Sequence, residues 1–421
     1  MAVHSSTLVD PKPVRAVRRM AVVVVHSNPL QEPGAGDAGG MTVYVREIAR
    51  TLSSRGIEVD IFTRQDRQGA ALESRLYPGV KVFQLPAGDP LASKEEVPAH
   101  LPEFACKVRR LVDDRSLSYD MIHSHYWLSG RVAAKLSERW NVPFVHTFHT
   151  LGKAKNSSLQ AGDLQEPEGR LTGEGRVIAE ADAIVASTNE ERDWLLNLYA
   201  AHPEKIHVIS PGVDHLRFAP GDSAAAKCSF GLEGKKVLLF VGRLQPLKGP
   251  DTALRAFAYL IDWGRLSRDE AVLLVVGGAS GISGIDEPSR LKVLAENLGI
   301  AGSVRFVPAQ PHQELPRFYQ AADVLLVPSH TESFGLVALE GMASGVPVVG
   351  SAVGGLKAIV QHGHTGFLVE PDAAPTFAER AWQILSDPLL RETMSRLAVC
   401  SSEDYSWHRS AADLHSVYMS C

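Results

Sequence analysis

Short apolar runs, many of them rich in β-branched residues, alternate with stretches of helical periodicity along the whole chain. In the first half these runs predict buried strands at residues 20–26, 57–63, 81–85, 121–123, 143–147, 183–186 and 206–209. Between them, apolar positions recur at helical spacing, for example over residues 42–54, 98–113 and 128–140. Strands that alternate with helices predict parallel sheets that are covered by helices on both faces.

A turn-rich segment, SPGVDHLRFAPGD at residues 210–222, interrupts this alternation. A second series of predicted strands follows it, at residues 236–241, 272–276, 304–307, 324–327, 346–349 and 366–369. Two such series predict two doubly wound, Rossmann-like α/β domains, over residues 20–212 and 213–403. Residues 1–19 show neither periodicity, and we expect them to form a flexible tail.

Composition narrows the function classes. The 421 residues are 45% hydrophobic and 22% charged, which is typical of a globular protein of two or three domains. A net charge of −5 argues against a sequence-independent nucleic-acid binder. No apolar run reaches the ~18 residues of a membrane span. The four cysteines are scattered, which suits a reduced cytosol better than a disulfide framework or a zinc site.

A glycine-rich loop follows the first predicted strand. It contains a literal G-x-G-x-x-G at Gly34, Gly36 and Gly39, which invites a dinucleotide-binding interpretation. In a dinucleotide fold the first glycine follows the strand almost at once, whereas about eight loop residues intervene here. Gly39 and Gly40 directly precede a predicted helix, so a ligand could approach free backbone N–H groups there. A flexible turn without a ligand is the alternative.

In the second domain, the loop VGRLQPLKG places Arg243 and Lys248 after a strand. Two cations at the carboxyl end of a strand can clamp a diphosphate, since arginine offers a fork of donors and lysine a point charge. Taken alone this motif is weak, because surface cations are usually only solvated.

The motif PSHTESFGLVALEGMASGVPVV carries two carboxylates, Glu332 before a helix that begins near residues 334–335 and Glu340 within it. The free N–H groups of Gly335 and Leu336 would face an anion. Phosphates would repel carboxylates so close, so we expect the two glutamates to bind hydroxyls, one on a donor sugar and one on a ribose. The alternative is a helix-entry acid and a surface residue. The chain contains no D-x-D, so the cations and the helix start would take the place of a metal.

Together, GDAGGM, HSHYWLSG, GRLQPLKGP and ESFGLVALE resemble the retaining GT-B glycosyltransferases of family GT4, over nearly the whole chain after Arg19. Within that family the resemblance is to the branch that glycosylates 1D-myo-inositol 3-phosphate for mycothiol biosynthesis. It implies two Rossmann-like domains with an interdomain cleft, and a last helix, residues 404–421, that crosses back onto the first domain. It also implies transfer from a nucleotide-diphosphate sugar, of the UDP-N-acetylglucosamine type, to a small anionic acceptor.

Roles follow for the matching positions. The resemblance implies catalytic roles for His149, Arg243, Lys248 and Glu332. The donor would be bound by Gly40, Arg243, Lys248, Glu332, Ser333, Phe334, Gly335, Leu336 and Glu340. The acceptor would be held by His26, Asp37, Gly39, Gly40, Met41, Thr42, Lys94, Tyr126, Thr150 and Arg170. Its phosphate would contact Lys94, Tyr126, Thr150 and Arg170, four anion donors from separate loops of the first domain.

Some positions depart from the family pattern. Thr42 stands where the inositol phosphate branch usually has asparagine, which leaves the neutral part of the acceptor open. The resemblance implies no required cofactor; Gln320 and Val346 depart from the usual metal-associated pattern, so a magnesium ion stays open, as does a homodimer. One rival is a paralogous natural-product transferase, using another donor such as a GDP-linked sugar and a low-molecular-weight thiol or betaine, as in lincosamide-like biosynthesis. Others are a sucrose-phosphate-type synthase, a dinucleotide-dependent oxidoreductase and a non-catalytic sugar-nucleotide sensor.

Overall fold

The computed structural model describes residues 16–34, 38–93, 95–157, 165–279 and 287–421. Among the predicted features, residues 1–15 of the tail, Gly36, Asp37 and Lys94 lie outside the described residues. Arg19, which the sequence pattern assigns to the tail, is instead the first residue of a strand. Its guanidinium lies 2.9 Å from the buried carboxylate of Asp60 on the neighbouring strand, which ties the start of the first sheet in place.

The first sheet contains, in the described ranges, strands β1 (Arg19–Val23), β2 (Glu58–Arg64), β3 (Glu73–Tyr77), β4 (Val80–Leu85), β5 (Met121–His125), β6 (Phe144–Thr147), β7 (Ala183–Ala186) and β8 (Ile206–Val208). Their order is β3-β4-β2-β1-β5-β6-β7-β8. All neighbours are parallel except β3 and β4. Alternate residues of β1 enter two cores on opposite faces, Val23 in one and Val22 in the other, as expected for a sheet covered on both sides.

The helices that cover this sheet are α1 (Gly40–Ser54), α2 (Val97–Asp114), α3 (Trp127–Trp140), α4 (Gly152–Ser157), α5 (Glu168–Glu180) and α6 (Asn189–Tyr199). A short 3-10 turn, Pro203–Lys205, precedes β8. Each long helix buries one apolar face, as its periodicity predicts. In the described part of the chain, no helix combines the length and apolar character needed to cross a membrane.

Strand β3 is absent from the sequence prediction and is the one antiparallel neighbour in this sheet. It pairs with β4 through a tight turn at Pro78 and Gly79. The first three of its residues, ESRLY, are polar, and none of the five is fully buried, because the strand lies at the edge of the sheet. An edge strand of this kind lacks the apolar alternation on which the prediction depends.

The second sheet contains β9 (Lys236–Val241), β10 (Ala271–Val276), β11 (Val304–Val307), β12 (Val324–Val327), β13 (Val348–Ser351) and β14 (Gly366–Val369), in the order β11-β10-β9-β12-β13-β14, all parallel. Its helices are α7 (Ser223–Ser229), α8 (Pro250–Asp262), α9 (Glu287–Asn297), α10 (Leu315–Ala321), α11 (Leu336–Ala343), α12 (Leu356–Ile359), α13 (Ala374–Ser386) and α14 (Pro388–Ser402). Pro246–Lys248 and Ala301–Ser303 form 3-10 turns. Two apolar cores lie on its two faces. The predicted α/β fold with two Rossmann-like sheets is therefore confirmed.

The last helix, α15 (Trp407–Ser420), returns to the first sheet. The hydroxyl of Ser406 accepts the backbone N–H of Arg409 and caps its start. Trp407 and Tyr418 are buried in the core that α1 shares with β1 and β2. The Tyr418 hydroxyl lies 2.7 Å from His123 Nδ1, so the end of the chain is bonded to the middle of the first sheet.

Candidate active site

A cleft of about 520 Å³ lies where the carboxyl ends of both sheets meet. Ligands in doubly wound folds bind at this edge, because loops and helix starts follow the strands there. The predicted residues that line the cleft are His26, Gly39, Gly40, Met41, Tyr126, His149, Thr150, Arg170, Arg243, Lys248, Glu332, Ser333, Phe334, Gly335, Leu336 and Glu340. The structure thus brings together residues that are widely separated in sequence.

Thr42 is not among the residues that line the cleft. It is buried on α1, and its hydroxyl lies 2.8 Å from that of Ser27 in the loop after β1. The structure therefore does not bring the Thr42 side chain to the cleft. Asp37 and Lys94 lie outside the described residues, so their predicted roles stay predictions.

The two halves of the molecule touch at the mouth of the cleft. Helix α1 begins at Gly40, with Gly39 as its N-cap. The side chain of Arg243 lies against Gly39, and a Cβ at residue 39 would be 3.3 Å from Arg243 Nε. Nearby, the backbone N–H of Gly278 donates to the carbonyl of Gly34 at 3.1 Å. The glycine-rich loop and the second sheet therefore enclose the cleft from opposite sides.

Lys248 and Glu332 form an ion pair inside the cleft, with Nζ 2.6 Å from Oε2. Glu332 precedes α11, and Gly335 is the N-cap of that helix with a φ of 103°, which favours glycine. The chain can therefore turn sharply from Glu332 into a helix whose first N–H groups lie at the cleft. A diphosphate placed there would meet a cation and a helix N-terminus together.

Glu340 lies on α11 and is buried, yet its side chain reaches the cleft wall. Its Oε1 lies 2.7 Å from His312 Nε2, and its Oε2 accepts a hydrogen bond from the Tyr319 hydroxyl at 2.9 Å. Both carboxylate oxygens are thus fixed by protein donors. Such a carboxylate presents its remaining lone pairs in a defined direction.

On the first-sheet side, Arg170 is buried and anchors a polar cluster. Its guanidinium donates to Thr150 Oγ1 at 3.0 Å and to Glu174 Oε1 at 2.7 Å. It also lies 5.2 Å from the centre of the Tyr126 ring, which in turn lies 4.3 Å from the ring of His26. Four predicted acceptor residues therefore surround one position in the cleft, and Arg170, expected in a loop, lies instead in the first turn of α5.

Tyr126 has a φ of 70° and a ψ of 148°, an uncommon conformation for a residue with a side chain. It is the N-cap of α3 and follows β5 directly. Backbone strain of this kind costs about 1–3 kcal/mol and persists where surrounding structure imposes it. Here it directs the ring toward Arg170 and the cleft.

His149 is half-buried after β6, and its Nε2 lies 3.0 Å from Nδ1 of His125. The His123 ring packs on the other side of His125, 4.3 Å between centroids. Burial lowers the pKa of His149 and of His123 to about 3, and lowers that of His125 well below its usual value. These rings are therefore neutral near pH 7, and His149 presents a neutral imidazole to the cleft.

Sequence reasoning missed several polar side chains of the cleft. Lys155 lines the cleft beside Arg170, and both cations bind Glu166, at 2.7 and 2.8 Å. His312 also lines the cleft and binds Glu340. The sequence Lys-Ala-Lys-Asn on the short helix α4 could have indicated Lys155 as a cationic residue of the cleft. His312 carries no local signal, because its partner lies 28 residues away.

The described residues of the cleft include no evident set of side-chain ligands for a metal ion. Within the described ranges, no group of three or more His, Cys, Asp or Glu residues is placed to hold a metal ion.

Comparison with known proteins agrees with this geometry. A family described as "Glycosyl transferase 4-like domain" matches residues 39–212, and "Glycosyl transferases group 1" matches residues 225–398. The D-inositol 3-phosphate glycosyltransferase of Acidothermus cellulolyticus is 48% identical over 405 residues, which are 95% of this chain and 90% of that protein. The protein of the same name from Kribbella flavida is 46% identical over 96% of each chain.

Among solved structures, sucrose-phosphate synthase from Thermosynechococcus elongatus superposes with a TM-score of 0.87 at 30% identity, covering 95% of this chain and 98% of that one. These matches do not favour the dinucleotide-dependent oxidoreductase that the glycine pattern had left open. The chain belongs to the group 1, GT4 glycosyltransferases and is a transferase of the GT-B fold, as its sequence motifs predicted.

Proposed function

We propose that this glycosyltransferase moves a sugar from a nucleotide-diphosphate donor, of the UDP-N-acetylglucosamine type, to 1D-myo-inositol 3-phosphate, with retention of anomeric configuration. The relatives named D-inositol 3-phosphate glycosyltransferase match it over nearly the full length of both chains. The observation that carries the proposal is one cleft with two separate cationic positions, Arg243 and Lys248 on one side and Arg170 on the other. Such a cleft suits a donor diphosphate and an acceptor phosphate.

On the donor side, the diphosphate lies between Arg243, Lys248 and the start of α11. Lys248 has three N–H donors, so its bond to Glu332 leaves two for phosphate oxygens. Glu332 precedes the helix and binds a hydroxyl of the donor sugar. Glu340 lies about 6 Å along the helix axis from Leu336, the first residue of α11, and binds the ribose hydroxyls. The diphosphate at the helix start then connects the two carboxylates.

On the acceptor side, the phosphate binds beside Arg170, Thr150 and Tyr126. The charges of the four side chains nearest this position cancel, because Arg170 and Lys155 are paired with the carboxylates of Glu166 and Glu174. An added phosphate therefore competes with Glu166 for its two cations. Residues 20–212 with the helix at 404–421 would bind the acceptor, and residues 213–403 the donor.

In the reaction, an acceptor hydroxyl attacks the anomeric carbon from the face that the diphosphate leaves, which retains the configuration. Arg243, Lys248 and the α11 N-terminus stabilise the charge that develops on the leaving diphosphate. An oxygen of that diphosphate takes the hydroxyl proton. His149, neutral near pH 7, contacts the donor sugar, and the two halves of the cleft exclude water that would hydrolyse the donor.

The test is to incubate the protein with UDP-N-acetylglucosamine and inositol 3-phosphate and to identify the product by mass and by anomeric coupling in NMR. UDP-glucose, GDP-linked sugars, free inositol, low-molecular-weight thiols and betaines serve as competing substrates. Arg243→Ala should lower kcat by ~10²-fold, because one preorganised donor to the leaving group is lost. Arg255→Ala, on the exposed surface of α8, is the matched control.

Equal transfer to inositol with and without phosphate would contradict the acceptor assignment. Transfer only from a GDP-linked sugar to a thiol or betaine would favour the natural-product alternative, which the relatives do not favour. Near-normal turnover of the Arg243 variant would remove that residue from the mechanism.

A further inference from the structure

We propose that His312 is a positioning residue for the ribose of the donor, acting through Glu340, and that Arg217 holds the imidazole ring of His312 in place. The inference rests on the proposed function, in which Glu340 binds the nucleotide. It adds two residues that do not belong to the motifs of the cleft. The imidazole of His312 bonds to the buried carboxylate of Glu340 and to Arg217, and these two contacts orient the carboxylate.

Glu340 can bind a ribose only if its carboxylate is ionised and correctly oriented. A carboxylate has about four lone-pair sites, and protein donors occupy one on each oxygen, through His312 and Tyr319. One site on each oxygen remains, which matches two vicinal hydroxyls. The two protein donors lie on α10 and on the loop before it, and together they fix the direction of the free sites.

The tautomer of His312 follows from its second contact. Arg217 Nη1 lies 2.9 Å from His312 Nδ1. Arginine has donors and no acceptor, so Nδ1 must accept this hydrogen bond. The ring proton therefore sits on Nε2 and is donated to Glu340 Oε1, at 2.7 Å. A carboxylate can only accept, so Glu340 requires the same tautomer, and the ring is held between Arg217 on one side and Glu340 on the other.

Arg217 is itself held at the junction between the two sheets. It lies 3.6 Å from Glu47 on α1 and 3.7 Å from Asp214 in the connecting segment. Arg50 binds the same two carboxylates, at 2.7 and 3.3 Å. The described partners of Arg50 do not include His312. Arg217 and Arg50 are therefore a matched pair: they share two carboxylate partners and differ in the hydrogen bond to His312.

Without Arg217, His312 Nδ1 loses the donor that fixes the ring, and the imidazole can rotate away from its bond to Glu340. The carboxylate then loses one of the two donors that set its direction. The loss would fall on the ribose hydroxyls and not on the diphosphate. The expected signature is therefore a loss of discrimination between ribose and deoxyribose, and not a general loss of folding.

The experiment measures binding of UDP, 2′-deoxy-UDP and 3′-deoxy-UDP by calorimetry, with the guanosine series in parallel, and uses the base that the wild-type protein binds. A hydroxyl bonded to a carboxylate should make the wild-type protein prefer the ribonucleotide by roughly 10- to 100-fold. Arg217→Met should reduce this preference to about threefold or less. Arg50→Met should leave it at the wild-type value. His312→Gln provides a second variant that removes the ring.

Three results would overturn the inference: an Arg217 variant with the wild-type preference, an Arg50 variant with the same loss as the Arg217 variant, or a wild-type protein that binds ribo- and deoxynucleotides equally. In the last case, sugar transfer in the product assay would leave the proposed function standing. Failure of the wild-type protein to bind any of these diphosphates would instead overturn the proposed function.

Discussion

Glu191 is a buried acid that the proposed reaction does not use. It lies in the first turn of α6, 2% exposed, and its Oε2 accepts the backbone N–H of Ser187 at 2.7 Å. Burial raises the pKa of its carboxyl from 4.5 to about 7, although the bond to Ser187 opposes the rise. We predict that Glu191→Gln changes the pH dependence of stability, because glutamine keeps the acceptor oxygen and cannot ionise.

The sign follows from the proton count. Between pH 4.5 and about 7 the folded protein keeps this proton, whereas the unfolded chain has lost it. The free energy of unfolding of the wild-type protein therefore falls as the pH rises through this window, by about 1.4 kcal/mol per unit from this group. Over the full window the cost reaches about 3 kcal/mol. The variant should thus gain stability relative to the wild type as the pH rises.

The assay is urea denaturation at pH 5, 6, 7 and 8, comparing the variant with the wild-type protein. Neutral buried histidines such as His123 act in the opposite direction as the pH falls below 6.5, but they are present in both proteins and cancel in the difference. Glu190→Gln is the matched control, because Glu190 is a neighbour in an exposed pair with Lys357. Parallel stability curves for wild type and Glu191→Gln would refute the reasoning.

Two further predictions concern the donor side of the cleft. Gly277→Ala would place a Cβ 1.8 Å from the carbonyl oxygen of Gly242, so the backbone beside the cleft must move. We expect the free energy of unfolding to fall by about 1–3 kcal/mol and the KM for the donor to rise. Gly302→Ala, with open space around it, should change neither quantity in the same denaturation and kinetic assays. Lys248→Met removes the partner of Glu332 and should weaken binding of the nucleoside diphosphate by roughly 10- to 100-fold in calorimetry. Thermal stability should not change. An unchanged affinity would contradict the role of Lys248 in binding the diphosphate.

The parts of the site that follow a strand could be predicted from the sequence. The loops with Arg243 and Glu332 both come after parallel strands, β9 and β12, which are neighbours in the sheet. Their carboxyl ends must therefore lie together, and the ion pair of Lys248 with Glu332 is the result. Strand–helix alternation likewise predicted the sheets, because β-branched runs buried on both faces leave a clear pattern.

Other parts depend on distant contacts that no local pattern contains. Arg217 meets His312 across 95 residues, so neither position signals its partner. Thr42 follows the glycine pair and was expected at the acceptor, yet the helical phase turns it toward Ser27. The ion pairing of Arg170 with Glu174 depends on the fold of α5 around the cleft. Motifs identified Thr42 and Arg170 but not Arg217 or His312, and in all four cases the packing of distant segments decides which partner the side chain meets.

Helix α15 has a consequence for how the protein is made on the ribosome. The first sheet is translated early, yet Trp407 and Tyr418 of its core are translated after the whole second sheet. Until then the part of α1 that contacts α15, including Tyr44 against Trp407, and the His123 nitrogen that binds Tyr418 lack their native partners. The domain built on the second sheet can complete its core before α15 is made. Nascent chains should therefore expose an apolar, aggregation-prone surface on the domain of the first sheet until α15 has been synthesised.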